Sequence, residues 1–189
     1  IKKNVLTSDI SQGPGSGFSI ATGEQRSRGF EVDLAGQLLP GLEVIASYAY
    51  IDARITKDNT FLEDSRLPNV PKHQASVWTT YSFREGMLRG LGLSAGFVAF
   101  GQRPGIFLCQ DPVVSFCQDP FNLPGYVRMD AAVYYRNQVN VLNKKTNFLA
   151  SVNVRNLLDE RYFTGAQNFR EIIYTGAPIT VIGSLKFEY

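Results

Sequence analysis

Residues 177–189 read A-P-I-T-V-I-G-S-L-K-F-E-Y and decide the fold of this chain. Every second side chain is apolar, and the positions between them are mostly polar. The apolar set is Ile179, Val181, Leu185, Phe187 and Tyr189, with Gly183 as a gap. A period of two is typical of a β-strand with one apolar and one wet face. Bilayer-crossing strands need about 9–11 residues, whereas soluble strands average about 5–6, so this length predicts a membrane-spanning strand.

The same alternation recurs throughout the chain. It predicts strands at 1–7, 24–38, 42–56, 71–83, 91–103, 124–137 and 146–156. The first of these is too short to span a bilayer and reads as the upper part of a strand. We therefore expect an all-β fold, a transmembrane antiparallel up-and-down β-barrel segment with about eight strands of a larger barrel.

The segment 42–56 shows the order of side chains expected of a strand that leaves the lipid. Aliphatic side chains come first on its apolar face, Tyr48 and Tyr50 follow, and Asp52 and Arg54 come last. Aromatic girdles lie at both membrane interfaces of outer-membrane barrels, with charges beyond them. This order is hard to explain in a soluble sheet.

The predicted connections alternate between long and short. The long ones are 8–23, 57–69, 104–123 and 157–176, and the short ones are the Pro-Gly turn at 39–41 and the segments 84–90 and 137–145. Outer-membrane barrels have long loops outside the cell and short turns in the periplasm. We expect the long loops to be extracellular, the C-terminus to be periplasmic, and no domain boundary to interrupt the chain.

Composition and charge exclude several classes of function. The net charge is +2 over 189 residues without a basic run, so no nucleic-acid partner is expected. The 13 Phe, 9 Tyr and 17 Gly suit a barrel with aromatic belts, although a soluble β-sandwich would share much of this composition. No triad, nucleophile elbow or metal cluster can be assembled, so an enzyme is not expected. The glycines at 13, 15 and 17 predict a flexible loop rather than a phosphate site.

Three segments carry a more particular resemblance. R-S-R-G-F-E-V-D at 26–33 is similar to an "RGxE(L/V)" strand. P-K-H at 71–73, followed by W-T-T-Y at 78–81, is similar to "P-K-H-x-x-x-x-W-x-x-Y". N-V-R-N-L-L-D-E-R-Y at 153–162 is similar to "N-x-x-N-L-x-D-x-x-Y". In order and spacing these segments resemble TonB-dependent siderophore receptors across nearly the whole chain.

The resemblance implies a barrel receptor that imports ferric siderophores across the bacterial outer membrane, with TonB supplying energy through a plug domain. This chain shows no TonB box and no plug, so we expect it to be the C-terminal part of such a barrel and not to transport alone. The resemblance also implies recognition of the terminal strand by the barrel assembly machinery. The implied assembly signal is Val181, Leu185, Phe187 and Tyr189.

Ligand binding in this family uses aromatic and basic side chains of the outer loops and upper wall. The candidates that the resemblance implies here are Phe61, Arg103, Phe107, Phe116, Phe121, Tyr162, Phe163, Phe169 and Arg170. Most of them, taken singly, are equally explained as loop-packing or interface residues. No cofactor is expected, because the ferric siderophore is the transported ligand.

Structural roles are expected for the cysteines and the histidine, and the roles of the inward-facing charges stay open. Cys109 and Cys117 share one outward loop, and a disulfide is favoured there over metal binding or free thiols because the outer surface is oxidising. His73, the only histidine, is expected to be structural. Inward-facing charges could pair with one another, pair with the plug or be solvated. They are Glu31, Asp33, Arg128, Asp130, Arg136 and Arg155.

Two alternatives stay open at this point. A self-contained small outer-membrane barrel, acting as an anchor or passive pore, is disfavoured because 1–7 is too short to close the wall. A soluble β-sandwich would have shorter strands whose apolar faces meet a second sheet.

Overall fold

In the computed structural model the chain folds as an open antiparallel β-sheet. Residues 1–13, 17–110, 119–141, 144–167 and 170–188 are described. Their strands are β1 (Lys2–Ser8), β2 (Ser19–Leu39), β3 (Leu42–Lys57), β4 (His73–Ser82), β5 (Leu91–Phe100), β6 (Arg103–Pro104), β7 (Asn122–Leu123), β8 (Tyr126–Val141), β9 (Lys144–Arg155), β10 (Phe163–Ala166), β11 (Ile173–Thr175) and β12 (Thr180–Glu188).

Eight of these strands form the main sheet, in the order β1-β2-β3-β4-β5-β8-β9-β12. Each strand pairs antiparallel with the strand before it in the sheet, which confirms the predicted up-and-down arrangement. Within the described ranges β1 and β12 remain at opposite edges, so the barrel is not closed in this chain. The self-contained eight-stranded barrel is therefore not what the chain forms.

The predicted lipid-facing side chains form one continuous outer face, because the register places them opposite one another. Phe30 lies opposite Tyr50, and Leu93 lies opposite Val133. They are exposed rather than packed against a second layer, with Leu185 at 70%. A soluble sandwich requires the reverse. In an antiparallel sheet, exposed apolar side chains along every second position are the pattern of a wall that faces lipid.

The opposite, inner face is polar and carries paired hydroxyl groups. Neighbouring strands are joined there by Ser47–Ser76 (2.8 Å), Thr80–Ser94 (2.9 Å) and Ser151–Ser184 (2.7 Å). Ser82 of β4 and Tyr134 of β8 bond at 2.8 Å across the intervening strand β5. These bonds satisfy hydroxyl groups that would otherwise compete with the backbone ladder. The inner face is thus wet, as the alternation predicts.

Two glycines of β5 make room for aromatic rings on the inner face. A Cβ atom at Gly92 would lie 2.0 Å from Cζ of Tyr134. At Gly96 it would lie 2.5 Å from Cε3 of Trp78. Rings from the neighbouring strands β4 and β8 therefore fill the space that these glycines leave. Trp78 thereby packs against backbone on an otherwise polar face.

Several strand boundaries differ from the prediction. β2 begins at Ser19 because its first residues pair with β1. β8 continues to Val141 and β9 begins at Lys144, so strands occupy most of the segment 137–145, which was predicted as a connection. β5 ends at Phe100, before the predicted end at 103. β12 begins at Thr180 and keeps nine residues, enough to cross a bilayer.

The closely packed part of the chain lies at the end with the long connections. The largest apolar residues buried there are Ile55, Ile106, Leu123 and Tyr162. Two small two-stranded sheets, β6 with β7 and β10 with β11, occur in segments predicted mainly as irregular loops. Among the described residues, no helix is sufficiently long and apolar to traverse a membrane.

Candidate functional site

The long connections lie at one end of the sheet, and we call them the loop layer. It consists of the described residues of 9–18, 58–72, 101–125 and 156–179. The strands deliver all four segments to the same end of the sheet because every hairpin is antiparallel. The predicted separation of long loops from short turns is thus present in the sheet.

An aromatic pair joins two segments of the loop layer. The rings of Phe61 and Phe107 stack with centroids 4.5 Å apart. The backbone holds this pair in place, because Leu62 N donates to Leu108 O at 2.6 Å. Gln110 Nε2 adds bonds to the carbonyl oxygens of Asp58 (2.9 Å) and Phe61 (3.0 Å). A partly exposed stacked pair of this kind can accept a further ring.

A disulfide fixes the same part of the loop layer. Cys109 is disulfide-bonded and forms an isolated β-bridge with Phe61. Cys117, the other cysteine of the sequence, lies outside the described residues. The pairing of the two therefore stays a prediction. A cross-link here would restrict the segment that carries Phe107.

Arg103 is buried at the base of the loop layer, with 2% of its surface exposed. Its Nη2 donates to Phe163 O at 2.7 Å, and its guanidinium lies 5.7 Å from the centre of the Tyr126 ring. Tyr126 in turn stacks on Tyr162 at 4.3 Å. Burial lowers the pKa of Arg103. These contacts favour an internal role, joining two loops, and its predicted contact with ligand stays a prediction.

Asn69 ties three of the loop segments together. Its side chain exchanges two hydrogen bonds with the backbone of Ala166, through Nδ2 to the carbonyl (2.9 Å) and from the amide to Oδ1 (2.9 Å). Its own amide donates to Pro104 O at 2.8 Å. At the other side of the layer, Thr7 Oγ1 donates to Asp58 Oδ1 at 3.0 Å. The loop layer is therefore connected by specific hydrogen bonds rather than by apolar contact alone.

Asn156, within the motif at 153–162, closes the last long loop. It is 1% exposed and has a positive φ of 55°. Its Nδ2 donates to the carbonyls of Glu160 and Ala177 at 3.0 Å each, and its Oδ1 accepts from Glu160 N at 2.9 Å. Asp159 supports the same closure, since its Oδ1 accepts from Ile179 N at 3.0 Å. The family resemblance points to this motif, but the sequence pattern does not predict that Asn156 anchors the loop.

The inner-face charges divide into a paired and an unpaired group. Arg128 and Asp130 form a two-bond ion pair, with Nη2–Oδ2 at 2.8 Å and Nε–Oδ1 at 3.1 Å. Asp130 Oδ1 also accepts from Asn156 N at 2.8 Å, so the pair connects the wall to the loop anchor. Glu31 and Asp33 instead line a hollow of about 300 Å³. No ion pair to either is present in the described part of the chain.

The remaining inner-face arginines and His73 have different surroundings. Arg136 lies 6.0 Å from the centre of the Tyr134 ring, and Arg155 is exposed at the loop end of β9. His73 begins β4 on the outer face, where its Nδ1 lies 2.8 Å from the hydroxyl of Tyr48. It belongs to an outward aromatic cluster with Phe30, Tyr48 and Tyr50. This cluster lies where the girdle is predicted.

The other predicted residues are spread over the loop layer and the last strand. Phe121 packs over Gly105, Phe163 is 36% exposed in β10, and Arg170 is exposed. Phe116, Phe169 and Tyr189 lie outside the described residues. Val181, Leu185 and Phe187 lie on the outer face of β12, as their spacing predicts. In the described ranges no group of three or more His, Cys, Asp or Glu could hold a metal ion.

Known proteins resemble this chain in sequence. A family model described as "TonB dependent receptor-like, beta-barrel" matches residues 2–157. The metal-pseudopaline receptor CntO of Pseudomonas aeruginosa (strain UCBPP-PA14) is 37% identical over 100% of this chain and 24% of its own length. The ferrichrome outer membrane transporter/phage receptor of Escherichia coli (strain K12) is 33% identical over 93% of this chain and 21% of its own length.

Solved structures resemble it in fold. The siderophore receptor PiuA from Acinetobacter baumannii superposes with a TM-score of 0.70 at 26% identity, covering 98% of this chain and 24% of that one. The pyoverdine outer membrane receptor FpvA from Pseudomonas aeruginosa PAO1 superposes with a TM-score of 0.71 at 21% identity, covering 99% and 26%. The chain thus spans about a quarter of the length of the relatives it matches.

Proposed function

The chain belongs to the TonB-dependent receptor β-barrel family, and from that premise we propose that it forms barrel wall and ligand-facing loops of an outer-membrane receptor importing ferric siderophores. The observation that carries the proposal is the 37% identity, over 100% of this chain, to a receptor named for a metal chelate. The ferrichrome and ferrioxamine B receptors, at 33% and 30% identity, support the same class of cargo.

In this proposal the chain supplies the scaffold of an active transporter. The complete receptor binds its ligand from outside, and TonB drives a rearrangement of a plug domain inside the barrel. The plug would meet the inner face, where Glu31 and Asp33 line a hollow of about 300 Å³. Carboxylates beside a water-filled lumen can pair with basic groups of a plug. No catalytic step and no resident cofactor are part of the proposal.

The ligand would approach the loop layer. The stacked rings of Phe61 and Phe107 lie 4.5 Å apart and offer an aromatic platform for a catecholate or peptide part of a siderophore. Phe163, partly exposed in β10, is a second candidate contact. This assignment requires the long loops to be extracellular and the C-terminus of β12 to be periplasmic. The barrel assembly machinery would then recognise β12.

Uptake in iron-starved cells tests the function. A strain lacking the gene is complemented with the full-length receptor, and radioactive iron is supplied as ferrichrome, as ferrioxamine B and as an iron-pseudopaline complex. We expect the receptor to restore uptake of at least one chelate, and a protonophore to abolish it. If uptake of iron from none of these three chelates depends on the gene, although the receptor is present and folded in the outer membrane, the proposal is wrong.

Loop variants test the platform. Phe61→Ala and Phe107→Ala should each weaken chelate binding about 2–10-fold, because one aromatic stack contributes about 0.5–1.5 kcal/mol. Phe97→Ala is the matched control, since Phe97 lies on the outer face and cannot reach the ligand. Equal losses in all three variants would show that the rings act through folding rather than through contact.

A further inference from the structure

Arg103 joins the two small sheets of the loop layer. It belongs to β6, which pairs with β7, and its Nη2 donates to the carbonyl oxygen of Phe163, the first residue of β10, at 2.7 Å. We call the place where Arg103, Phe163, Ala166 and the bridging Asn69 meet the sheet contact. Only 2% of the surface of Arg103 is exposed. Its guanidinium therefore becomes hydrated only when the sheet contact opens.

The charge of Arg103 is not neutralised by any described part of the chain. None of the ion pairs among the described residues includes Arg103. Its Nη1 is buried without a hydrogen-bond partner. The centre of the Tyr126 ring lies 5.7 Å from the guanidinium, near the limit of about 6 Å for a cation–π contact. One hydrogen bond and one distant ring thus replace the water that the guanidinium loses.

This burial raises the free energy of the closed sheet contact. A buried charge without a counter-ion and a buried donor without an acceptor both cost free energy. The pKa of Arg103 is lowered for the same reason, because burial penalises the charged form. When the two small sheets separate, water can bond all the guanidinium N–H groups. The cost of burial is then removed, so the charge of Arg103 favours the open arrangement.

Asn69 acts in the opposite direction at the same sheet contact. Its side chain exchanges two hydrogen bonds with the backbone of Ala166 in β10, and its amide donates to Pro104 O in β6. These bonds bury no charge and exist only while the contact is closed. The sheet contact is therefore stabilised at Asn69 and destabilised at Arg103.

Arg128 provides a comparison, since it is an arginine nearby whose charge is neutralised. Its Nη2 and Nε donate to the carboxylate of Asp130 at 2.8 Å and 3.1 Å. A two-bond pair with a carboxylate compensates much of the cost of burying a guanidinium. Arg103 has no such partner among the described residues. Removal of the two charges should therefore have opposite effects on the loop layer.

We infer that Arg103 lowers the free energy needed to open the sheet contact, so that the two small sheets separate readily. Opening moves the segment that carries Phe107 relative to the segment that carries Phe163, and both rings are candidate contacts for a chelate. One consequence rests on the proposed function. If the receptor admits a chelate between these segments, the opening of the sheet contact limits how fast the chelate enters.

Hydrogen exchange of the full-length receptor without cargo tests the inference. Backbone amides at 101–108 and 161–166 exchange at a rate that follows the population of the open sheet contact. Arg103→Met removes the charge and the unpaired donor and keeps an unbranched apolar stem. We expect exchange there to slow at least about fivefold, although the bond to Phe163 is lost. Arg103→Lys keeps the charge on a more strongly hydrated ammonium and should speed exchange.

Two control variants should speed exchange at the same amides. Asn69→Gly removes the side-chain bonds to Ala166 and tolerates the φ of 63° at this position. Arg128→Met removes a neutralised arginine and leaves Asp130 without its partner. The inference is overturned if Arg103→Met speeds exchange, leaves it unchanged or prevents folding, because Arg103 would then be an ordinary clamp. Heat-modifiable migration shows whether each variant is folded.

The exchange result is independent of the proposed transport, because it is measured without cargo. If exchange slows in Arg103→Met while wild type takes up none of the three chelates, the inference stands and the transport function fails. If wild type takes up a chelate while exchange speeds in Arg103→Met, the transport function stands and the inference fails.

Discussion

Replacement of Asn156 tests whether one buried side chain anchors the last long loop. Asn156 makes three side-chain hydrogen bonds to loop backbone, two to Glu160 and one to Ala177. It also adopts a positive φ of 55°, which asparagine and glycine tolerate better than alanine does. Asn156→Gly removes the bonds and keeps the backbone freedom. Asn156→Ala removes the bonds and adds strain.

The expected magnitudes follow from these contacts. Each hydrogen bond contributes about 1 kcal/mol net, so losing three lowers the free energy of loop opening by about 3 kcal/mol. Alanine in the left-handed region costs about 1 kcal/mol more. Since about 1.4 kcal/mol corresponds to a factor of ten, we expect the open population to rise about 100-fold in Asn156→Gly and about 1,000-fold in Asn156→Ala.

Limited proteolysis of the full-length receptor measures this opening. Trypsin can cleave after Arg161 and Arg170, both exposed in the loop, and its rate follows the open population when opening and closing are fast. Cleavage after Arg89, in the short connection at the other end, is the internal control. If cleavage in the loop is unchanged in both variants, or is faster in Asn156→Gly than in Asn156→Ala, the anchor argument fails.

Three further substitutions test the wall and the loop layer. Gly29→Ala should reduce the folded, heat-modifiable fraction in outer membranes, because its Cβ would lie 1.9 Å from a carbonyl oxygen of β3. Gly36→Ala is the control and should be tolerated, because a Cβ atom there meets nothing within 4 Å. Leu185→Lys on the outer face should lower the free energy of unfolding in a bilayer by about 2–4 kcal/mol, and Ser184→Lys on the inner face should lower it far less. Similar unfolding midpoints for the two variants would contradict the assignment of faces. Without reductant, Cys109→Ser should be cleaved faster than wild type within residues 101–125. With reductant, wild type should be cleaved there as fast as the variant.

The period of two predicts the two faces of the sheet well. Positions such as Phe97 and Val133 are assigned correctly because alternation alone decides which side of a strand a residue faces. The family resemblance, confirmed by the match to residues 2–157, predicts the membrane barrel. Antiparallel hairpins then place the long connections at one end. These features follow from local pattern and connectivity.

Features that depend on distant contacts could not be predicted. The anchoring role of Asn156 arises because Ala177, far along the chain, returns to its side chain. The filling of the space at Gly96 depends on Trp78 from the neighbouring strand. The extension of β8 to Val141 depends on its ladder with β9. The alternation within one segment cannot predict these contacts, because strand register and loop packing are determined only when the strands assemble into the sheet.

The most direct test of the account is a spin-label scan along β8 of the full-length receptor in lipid bilayers. Single labels at 127–135 are exposed in turn to oxygen, which concentrates in lipid, and to a water-soluble nickel chelate. The account predicts oxygen access at 127, 129, 131, 133 and 135 and nickel access or burial at the positions between them, because these sets alternate between the outer and inner faces. A scan without a period of two, or with the two sets exchanged, would contradict the claim that this sheet is a lipid-facing barrel wall.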